Sequence, residues 1–217
     1  MSMYPLYPDL ESSLFYQSFD DCPLADEKLV PNIINLSSPT STKYLLGTIQ
    51  LEATLSTSPT YICKDSKGKL FAVTVKIPAN EIKENVRGGG FDVTAWKRGW
   101  CLVIPEPKRS GVENGKQGFI ALHKADVMVF PTSLERLIKI SKTLHNQAML
   151  QPEHRTCRAC AAQAKPDKLK ACSGCDAAWY CQKDCQIKDW NEKGHKKECK
   201  IYKSLKRLSA TPYSNPT

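Results

Sequence analysis

The feature that most limits how this chain can fold is a series of seven cysteines and one histidine within residues 157–199. The series runs Cys157-x2-Cys160-x11-Cys172-x2-Cys175-x5-Cys181-x3-Cys185-x9-His195-x3-Cys199. Thiolates and imidazoles are the ligands that zinc prefers, and eight of them complete two tetrahedral sites with no coordination position left for water. The spacing therefore predicts two structural zinc ions and no catalytic one.

Two other roles for these cysteines agree less well with the sequence. Residues 151–209 contain too few apolar side chains to bury seven cysteines as small core residues. The pairs Cys157/Cys160 and Cys172/Cys175 have the spacing of redox motifs, but the four further ligands favour metal. A structural zinc contributes about 10 to 16 kcal/mol to the folding of such a module. We therefore expect the segment to unfold without metal.

The start of the chain bears on the compartment. Residues 1–21 have neither the basic start and apolar run of a secretory signal nor the arginines of a transit peptide. No stretch approaches the ~20 apolar residues of a membrane-spanning helix. We expect a cytoplasmic or nuclear protein with no membrane partner, where clustered cysteines bind metal rather than form disulfides.

The middle of the chain has the pattern of a small β-domain. From Tyr44 to Leu55 apolar and polar residues alternate, which predicts a half-buried strand. Its buried face is predicted to carry Leu45, Ile49, Leu51, Ala53 and Leu55. Cys63 and Cys101 also lie in strand patterns, as small apolar residues.

Further strands and a short helix complete this predicted domain. Asp65–Gly68 has the composition of a hairpin turn, in which Gly68 can adopt positive φ. The predicted elements are strands at 61–63, 71–77, 100–104 and 119–130, with an irregularity at 123–126, and a helix at about 80–86. Three strands, a helix and two strands is an order that resembles an OB-fold, a small five-stranded Greek-key barrel.

An OB-like barrel implies a second class of function. Such barrels bind oligonucleotides on an exposed face, which would here lie near Tyr61, Lys64 and the Lys108-Arg109 loop. The alternative is a barrel without a ligand. The region offers only one aromatic residue suited to base stacking. Nucleic acid is therefore an alternative partner that the sequence does not favour.

Three local motifs accompany the metal ligands. They are Tyr180-Cys181, Cys185-Gln186 followed by Trp190, and His195-Lys196-x2-Cys199. With a ligand order of six cysteines, one histidine and one cysteine, these motifs make residues 157–199 resemble a MYND-type zinc finger. RING and LIM modules place histidine in the middle of the ligand series. One departure is that four residues separate Trp190 from His195, a longer interval than is usual in the family.

The resemblance implies which ligands share an ion and where a peptide binds. In the family's interleaved arrangement, one zinc is held by Cys157, Cys160, Cys181 and Cys185, and the other by Cys172, Cys175, His195 and Cys199. Spacing alone leaves a sequential pairing open. Several MYND fingers bind short proline- and leucine-containing peptides, in a groove whose lining residues match Ser173, Gln186 and Trp190. The alternative for Trp190 is a core position.

The resemblance also raises the question of an enzyme, because MYND fingers occur in SET-domain lysine methyltransferases. Those enzymes carry an Asn-His-x-Cys signature and a large cofactor cleft. No such signature occurs here, and only 18 residues follow the finger. We therefore expect a non-catalytic adaptor that binds a protein partner with a proline-rich motif, and no small-molecule substrate.

The C-terminal segment is also basic. Residues 151–217 contain 14 lysines and arginines against 7 acidic residues, and seven thiolates with two Zn2+ ions would reduce this +7 to about +4. Six cations fall on the predicted final helix, namely Lys196, Lys197, Lys200, Lys203, Lys206 and Arg207. A solvated helix face is one explanation, and contact with nucleic acid or an acidic partner is the other.

Together these signals predict an α+β fold in five parts. The parts are an irregular N-terminal arm (1–40), a five-stranded OB-like β-barrel (41–131), a linker helix (132–150), a two-zinc MYND-type finger (151–209) and a disordered tail (210–217).

Overall fold

The computed structural model of the protein describes residues 7–12, 14–25, 42–55, 57–82, 92–113, 115–150 and 155–210. Within it the chain divides into two compact units. Glu11–Glu135 form one unit, and Met1–Leu10 with Arg136–Thr217 form the other. The first unit contains the large sheet and the second contains the cysteine clusters, so the fold is of the α+β type.

The first unit is built on one large sheet of short strands. These are β1 (Phe15–Tyr16), β2 (Tyr44–Glu52), β3 (Thr60–Lys64), β4 (Leu70–Val75), β5 (Cys101–Pro105), β6 (Arg109–Ser110), β7 (Phe119–Leu122) and β8 (Met128–Phe130). Their order is β6-β7-β4-β3-β2-β5-β8, with β1 added to β2. The β4–β7 and β1–β2 pairs are parallel and the remaining pairs are antiparallel.

Alternating apolar residues of these strands form the core of the sheet unit. Phe71, Val73 and Val75 of β4 are buried, while Ala72 and Thr74 between them are half-buried. Cys63 and Cys101 are fully buried and act as small core residues. Burial raises the pKa of the Cys101 thiol to about 12, so this cysteine stays protonated and unreactive at neutral pH.

The hairpin turn at Asp65–Gly68 is confirmed, with β3 and β4 pairing on either side of it. Gly68 has a φ of 86°. The buried Asp65 carboxylate accepts the backbone amides of Lys67 and Lys69 at 2.9 and 2.8 Å, and that of Phe19 at 2.8 Å. One side chain therefore fixes the turn and ties the segment after β1 to it.

One sequence prediction on this unit is wrong, and another lies partly outside the described residues. The predicted last strand is two strands, β7 and β8, which are separated at residues 123–127 and pair with different neighbours. The break includes the predicted irregularity. Of the predicted helix at about 80–86, residues 79–82 are helical, and the rest lies outside the described residues.

The predicted five-stranded barrel is not confirmed. Among the described residues the strands follow an open path from β6 to β8, and the sheet has eight members. The short strands β1 and β6 were not predicted, because two residues are too few for an alternating pattern. Of the predicted irregular arm, Phe15–Tyr16 is the strand β1 and Phe19–Asp21 is a 3-10 turn, whereas residues 26–41 lie outside the described residues.

The C-terminal unit consists of short hairpins and helices. Its elements are the helix α1 (Leu134–Leu150), which it includes from Arg136 onward, the strands β9 (Arg155–Thr156), β10 (Gln163–Ala164), β11 (Lys170–Ala171) and β12 (Trp179–Tyr180), and the helices α2 (Lys183–Lys188) and α3 (His195–Ala210). β9 pairs with β10 and β11 with β12, both antiparallel. Within the described residues, no helix has the length and apolar character needed to cross a membrane.

The N-terminal segment Tyr7–Leu10 belongs to this unit. Ser141 on α1 donates its hydroxyl to the Pro8 carbonyl, and His145 Nδ1 lies 2.7 Å from the Tyr7 carbonyl. The side chains of Tyr7 and Leu10 are buried. This segment therefore packs as part of the C-terminal unit, although it stands far from it in sequence.

Candidate metal centre

The eight predicted ligands are presented by turns and helix ends, where the backbone can direct several side chains to one point. Cys157 and Cys160 lie in the turn between β9 and β10, and Cys172 and Cys175 in the turn between β11 and β12. Cys181 follows β12 and Cys185 is on α2. His195 and Cys199 are one turn apart at the start of α3, so they face the same side of that helix.

The structure brings these side chains together in two groups of four. One group is Cys157, Cys160, Cys181 and Cys185, and the other is Cys172, Cys175, His195 and Cys199. Within each group all ligand atoms lie within 4.8 Å of one another. The Sγ atoms of Cys172 and Cys199 are 3.9 Å apart, and Cys175 Sγ is 3.7 Å from His195 Nε2.

These distances fit tetrahedral zinc. With Zn–S bonds of about 2.3 Å, two sulfurs on one ion are separated by about 3.8 Å. The Cys160 and Cys181 sulfurs, at 3.4 Å, are slightly closer than that separation. The donor set of seven thiols and one imidazole, already converged, is the set that zinc binds most readily.

The thiols differ in how easily they ionise, within the first group as well as between the two groups. Burial opposes ionisation of Cys157, but the backbone amides of Cys160, Cys181 and Ala159 donate to its sulfur and lower its pKa to about 6. Burial raises the pKa of Cys175 to about 12, despite the amides of Ala177 and Ala178. Closely spaced thiolates repel one another, so a divalent cation is needed to hold each group fully ionised.

His195 is the one imidazole in these groups, and aromatic rings surround it. The rings of Tyr180, Trp190 and Tyr202 meet it edge-on, with centroids 6.1, 5.8 and 5.6 Å away. Burial lowers the pKa of His195 below its ordinary value, which favours the neutral imidazole that a metal requires. These rings fix the orientation of the ligand.

Comparison with known proteins agrees with this geometry. The family model of the MYND finger matches residues 157–199, which begin and end at the first and last ligands. Residues 157–199 form a MYND finger. The finger binds zinc, and its two groups of ligands are those that could hold the ions.

One relative carries a similar segment. The histone-lysine N-methyltransferase ASHR1 of Arabidopsis thaliana is 41% identical over 56 residues, which cover 24% of this chain and 11% of that protein. The chain thus matches about a tenth of the length of this relative.

A buried ionic network next to the zinc ligands was not predicted from the sequence. The Arg158 guanidinium is 2.8 Å from the Asp189 carboxylate, and it also contacts the Glu198 carboxylate and the Tyr202 hydroxyl. Asp189 is 0% exposed. Arg158 follows the ligand Cys157, and Glu198 precedes the ligand Cys199. A charged residue directly beside a metal ligand is the sequence feature that could have indicated this network.

The network extends beyond Arg158 in two directions. The Tyr180 hydroxyl donates to Asp189 Oδ2 at 2.7 Å, which supplies the buried carboxylate with a second partner. Arg136 on α1 lies 2.8 Å from the other oxygen of Glu198. The network therefore ties β12, α1 and α3 together around the finger.

Ser173 and Trp190 lie beside the second group of ligands, whereas Gln186 follows Cys185 of the first group. Ser173 is exposed in the turn between Cys172 and Cys175, and Gln186 is half-buried on α2. Trp190 is 37% exposed, so it is not the core residue of the alternative prediction. Its ring contacts that of His195.

The unusual interval between Trp190 and His195 has a structural explanation. Asp189–Lys193 form a π-helical turn that ends at Gly194, which has a φ of 92°. A π-helical turn accommodates one more residue than an α-helical turn. The longer interval therefore widens one turn while His195 still reaches the metal group.

The surface that an OB-like barrel would offer to oligonucleotides lacks its aromatic residue. Tyr61 is 4% exposed, packs on Trp96 and donates its hydroxyl to the Val93 carbonyl at 2.8 Å. It faces the core because β3 directs residues 61 and 63 inward, and it cannot stack on a base. Arg109 donates to the Cys22 carbonyl at 2.9 Å, whereas Lys64 and Lys108 are exposed.

Proposed function

We propose that this protein is a zinc-dependent adaptor whose MYND finger binds a short extended peptide containing proline and leucine. MYND fingers are generally protein-interaction modules. The observation that carries the finer proposal is Trp190, a large apolar side chain that is partly exposed although it contacts a metal ligand. The partner would be a protein with a proline-rich motif.

The proposal assigns four ligands to each of two structural zinc ions. Cys157, Cys160, Cys181 and Cys185 would hold the first ion, and Cys172, Cys175, His195 and Cys199 the second. The grouping of the ligand atoms within 4.8 Å supports this interleaved pairing over a sequential one. No coordination position would remain for a substrate, so the ions would act in folding.

The peptide contact is assigned to Trp190, Gln186 and Ser173. The indole offers a flat apolar surface for a proline ring. The Gln186 amide is four residues away on the same helical segment, where it can bond the peptide backbone. The Ser173 hydroxyl is exposed between Cys172 and Cys175, on the ligand group that also contains the His195 contacted by Trp190.

Trp190→Ala is the substitution that tests this assignment. We expect a proline- and leucine-containing peptide to bind the zinc-loaded full chain weakly, and the variant to lose about 2 kcal/mol of binding free energy. NMR titration with labelled protein measures both the affinity and the residues that shift. Ile187→Ala is the matched control, because Ile187 is also exposed and lies on α2. It should change affinity little.

Two results would contradict the assignment of the peptide contact to Ser173, Gln186 and Trp190. One is a set of shifts on α3 that leaves Ser173, Gln186 and Trp190 unchanged. The other is peptide affinity that falls steeply with salt, because an apolar anchor is insensitive to screening.

We propose that the chain is not an enzyme. The finger is a non-catalytic module, but the relative with a similar segment is named as a methyltransferase and is much longer than the match. Adding S-adenosylmethionine to the zinc-loaded protein should leave its melting temperature unchanged. A saturable increase would overturn this proposal.

We propose that the sheet unit has an OB-like arrangement and that the domain boundaries are those predicted from the sequence. We also propose that the protein is located in the cytoplasm or nucleus. The β5-β2-β3-β4-β7 order and the parallel β4–β7 pair support the arrangement. Nucleic-acid binding by this unit is not favoured, because Tyr61 is buried.

A further inference from the structure

The helix α3 carries a straight row of four cations. Lys196, Lys200, Lys203 and Arg207 occupy positions i, i+4, i+7 and i+11, and all four are exposed. At 100° per residue these positions fall within a narrow arc of the helix surface, and at 1.5 Å per residue the row is about 16 Å long. We call these four residues the α3 basic row.

The opposite face of α3 fixes the direction in which the basic row points. Ile201, Tyr202, Leu205 and Leu208 are buried on that face. Glu198 lies on the same side and is held by Arg136 and Arg158. The row therefore faces away from the interior of the C-terminal unit and cannot rotate inward without breaking these contacts.

Three acidic residues of the C-terminal unit are already paired with cations outside the row. Asp189 and Glu198 are bound by Arg158, and Asp176 is 2.9 Å from Lys206. None of the four cations of the row forms an ion pair within the part of the chain that the structure describes. Among the described residues, the row is thus a linear array of positive charge without an ion-pair partner.

We propose that the α3 basic row is a docking surface for an acidic protein segment, one that is helical and carries carboxylates at the same spacing. A helix with Glu or Asp at i, i+4, i+7 and i+11 presents a row of equal length and opposite sign. This surface goes beyond the proposed peptide groove, because it uses none of Ser173, Gln186 and Trp190. A partner could occupy both surfaces.

The chemistry of the row favours a protein over a nucleic acid. Three of the four cations are lysines, which act as point charges toward carboxylates and phosphates alike, so the choice of partner depends on what surrounds them. The aromatic residue of α3, Tyr202, is buried, so the row has no platform on this helix for stacking bases. Nucleic acid is therefore one of the outcomes that the experiment distinguishes.

The test uses the zinc-loaded full chain and a fluorescent helical peptide with glutamates at i, i+4, i+7 and i+11. Anisotropy at low salt measures binding, and affinity should fall as salt rises. The double variant Lys200→Glu/Lys203→Glu should bind about tenfold more weakly, because two pairs become repulsive. Lys165→Glu/Lys170→Glu makes the same change of net charge at exposed residues before Cys172, and it should lower affinity much less.

Further controls make the outcome specific. An isomeric peptide with the same glutamates spread around the helix should bind several-fold more weakly. Trp190→Ala should leave binding of the acidic peptide unchanged, which separates this surface from the groove. Zinc content should equal that of the wild type in every variant.

The inference is overturned by any of three results. The two charge-reversal variants could lose affinity equally, which would mean that only net charge matters. The isomeric peptide could bind as well as the matched one. Finally, a short DNA duplex could bind more tightly than the peptide and lose that binding in Lys200→Glu/Lys203→Glu, which would assign the row to nucleic acid.

Discussion

Replacing Cys172 with alanine is expected to abolish the second zinc site and unfold the finger, while the sheet unit keeps its own melting transition. Cys172 is buried, and its sulfur lies 3.9 Å from that of Cys199. The site joins the β11–β12 turn to α3, so its loss separates the two halves of the finger. A structural zinc contributes about 10 to 16 kcal/mol, which is as large as the whole free energy of unfolding of a typical domain, about 5 to 15 kcal/mol.

Zinc stoichiometry and amide hydrogen exchange measure this result. The wild type should contain two zinc ions and Cys172→Ala at most one, with protection lost over residues 155–210 and retained in β2 to β5. Cys63→Ala is the control, since Cys63 is buried in the sheet core and far in sequence from the ligands. It should keep both ions. A Cys172→Ala protein that still holds two zinc ions, or a sheet unit that loses protection with the finger, would contradict the prediction.

The zinc ligands could be predicted from the sequence because metal chemistry imposes its own spacing. Pairs such as Cys157/Cys160 are fixed by a turn that must direct two sulfurs at one point, and such a constraint is local. The pairing of Cys160 with Cys181, whose sulfurs are 3.4 Å apart, depends on how the hairpins cross. That crossing is a tertiary property, so spacing alone left two pairings open.

In the strand β2, by contrast, the alternating pattern did not predict correctly which residues are buried, because the backbone is irregular. The alternation predicted Leu51 and Leu55 on the buried face with Ile49. The ladder shifts register between Ile49 and Leu51, so Leu51 pairs with Ile62 rather than continuing the inward row. Leu51 is half exposed and Leu55 is 100% exposed. The register shift turns Leu51 outward, whereas Leu55 lies beyond the end of β2 at Glu52, and the sequence carries no local signal for either change.

The Arg158 network could not be predicted from the sequence for a related reason. The partners Arg158, Asp189 and Glu198 come from a turn, a π-helical turn and a helix. Each of them reads in the sequence as an ordinary charged residue. Only the zinc-centred packing brings them together, and only the burial of Asp189 makes their pairing energetically important.

Replacing Arg158 with alanine should therefore destabilise the finger without removing a ligand. Asp189 is 0% exposed, and its carboxylate would keep the Tyr180 hydroxyl but lose its counter-charge. Stranding a buried charge costs about 3 to 5 kcal/mol, and the partial exposure of Arg158 places the expected loss near the lower value. Urea unfolding, followed by release of zinc to a chromogenic chelator, reports on this unit alone. Its midpoint should fall by about 1 M or more.

The double variant Arg158→Ala/Asp189→Asn separates loss of charge pairing from loss of packing. Asparagine keeps an oxygen that can accept from Tyr180, and it removes the buried negative charge that alanine at position 158 leaves unpaired. The double variant should accordingly recover much of the stability lost in Arg158→Ala, and both proteins should bind two zinc ions when folded. If the double variant is no more stable than the single one, the contribution of Arg158 is packing of its side chain. The buried ion pair would then not be what holds the π-helical turn Asp189–Lys193 against the turn that carries Cys157.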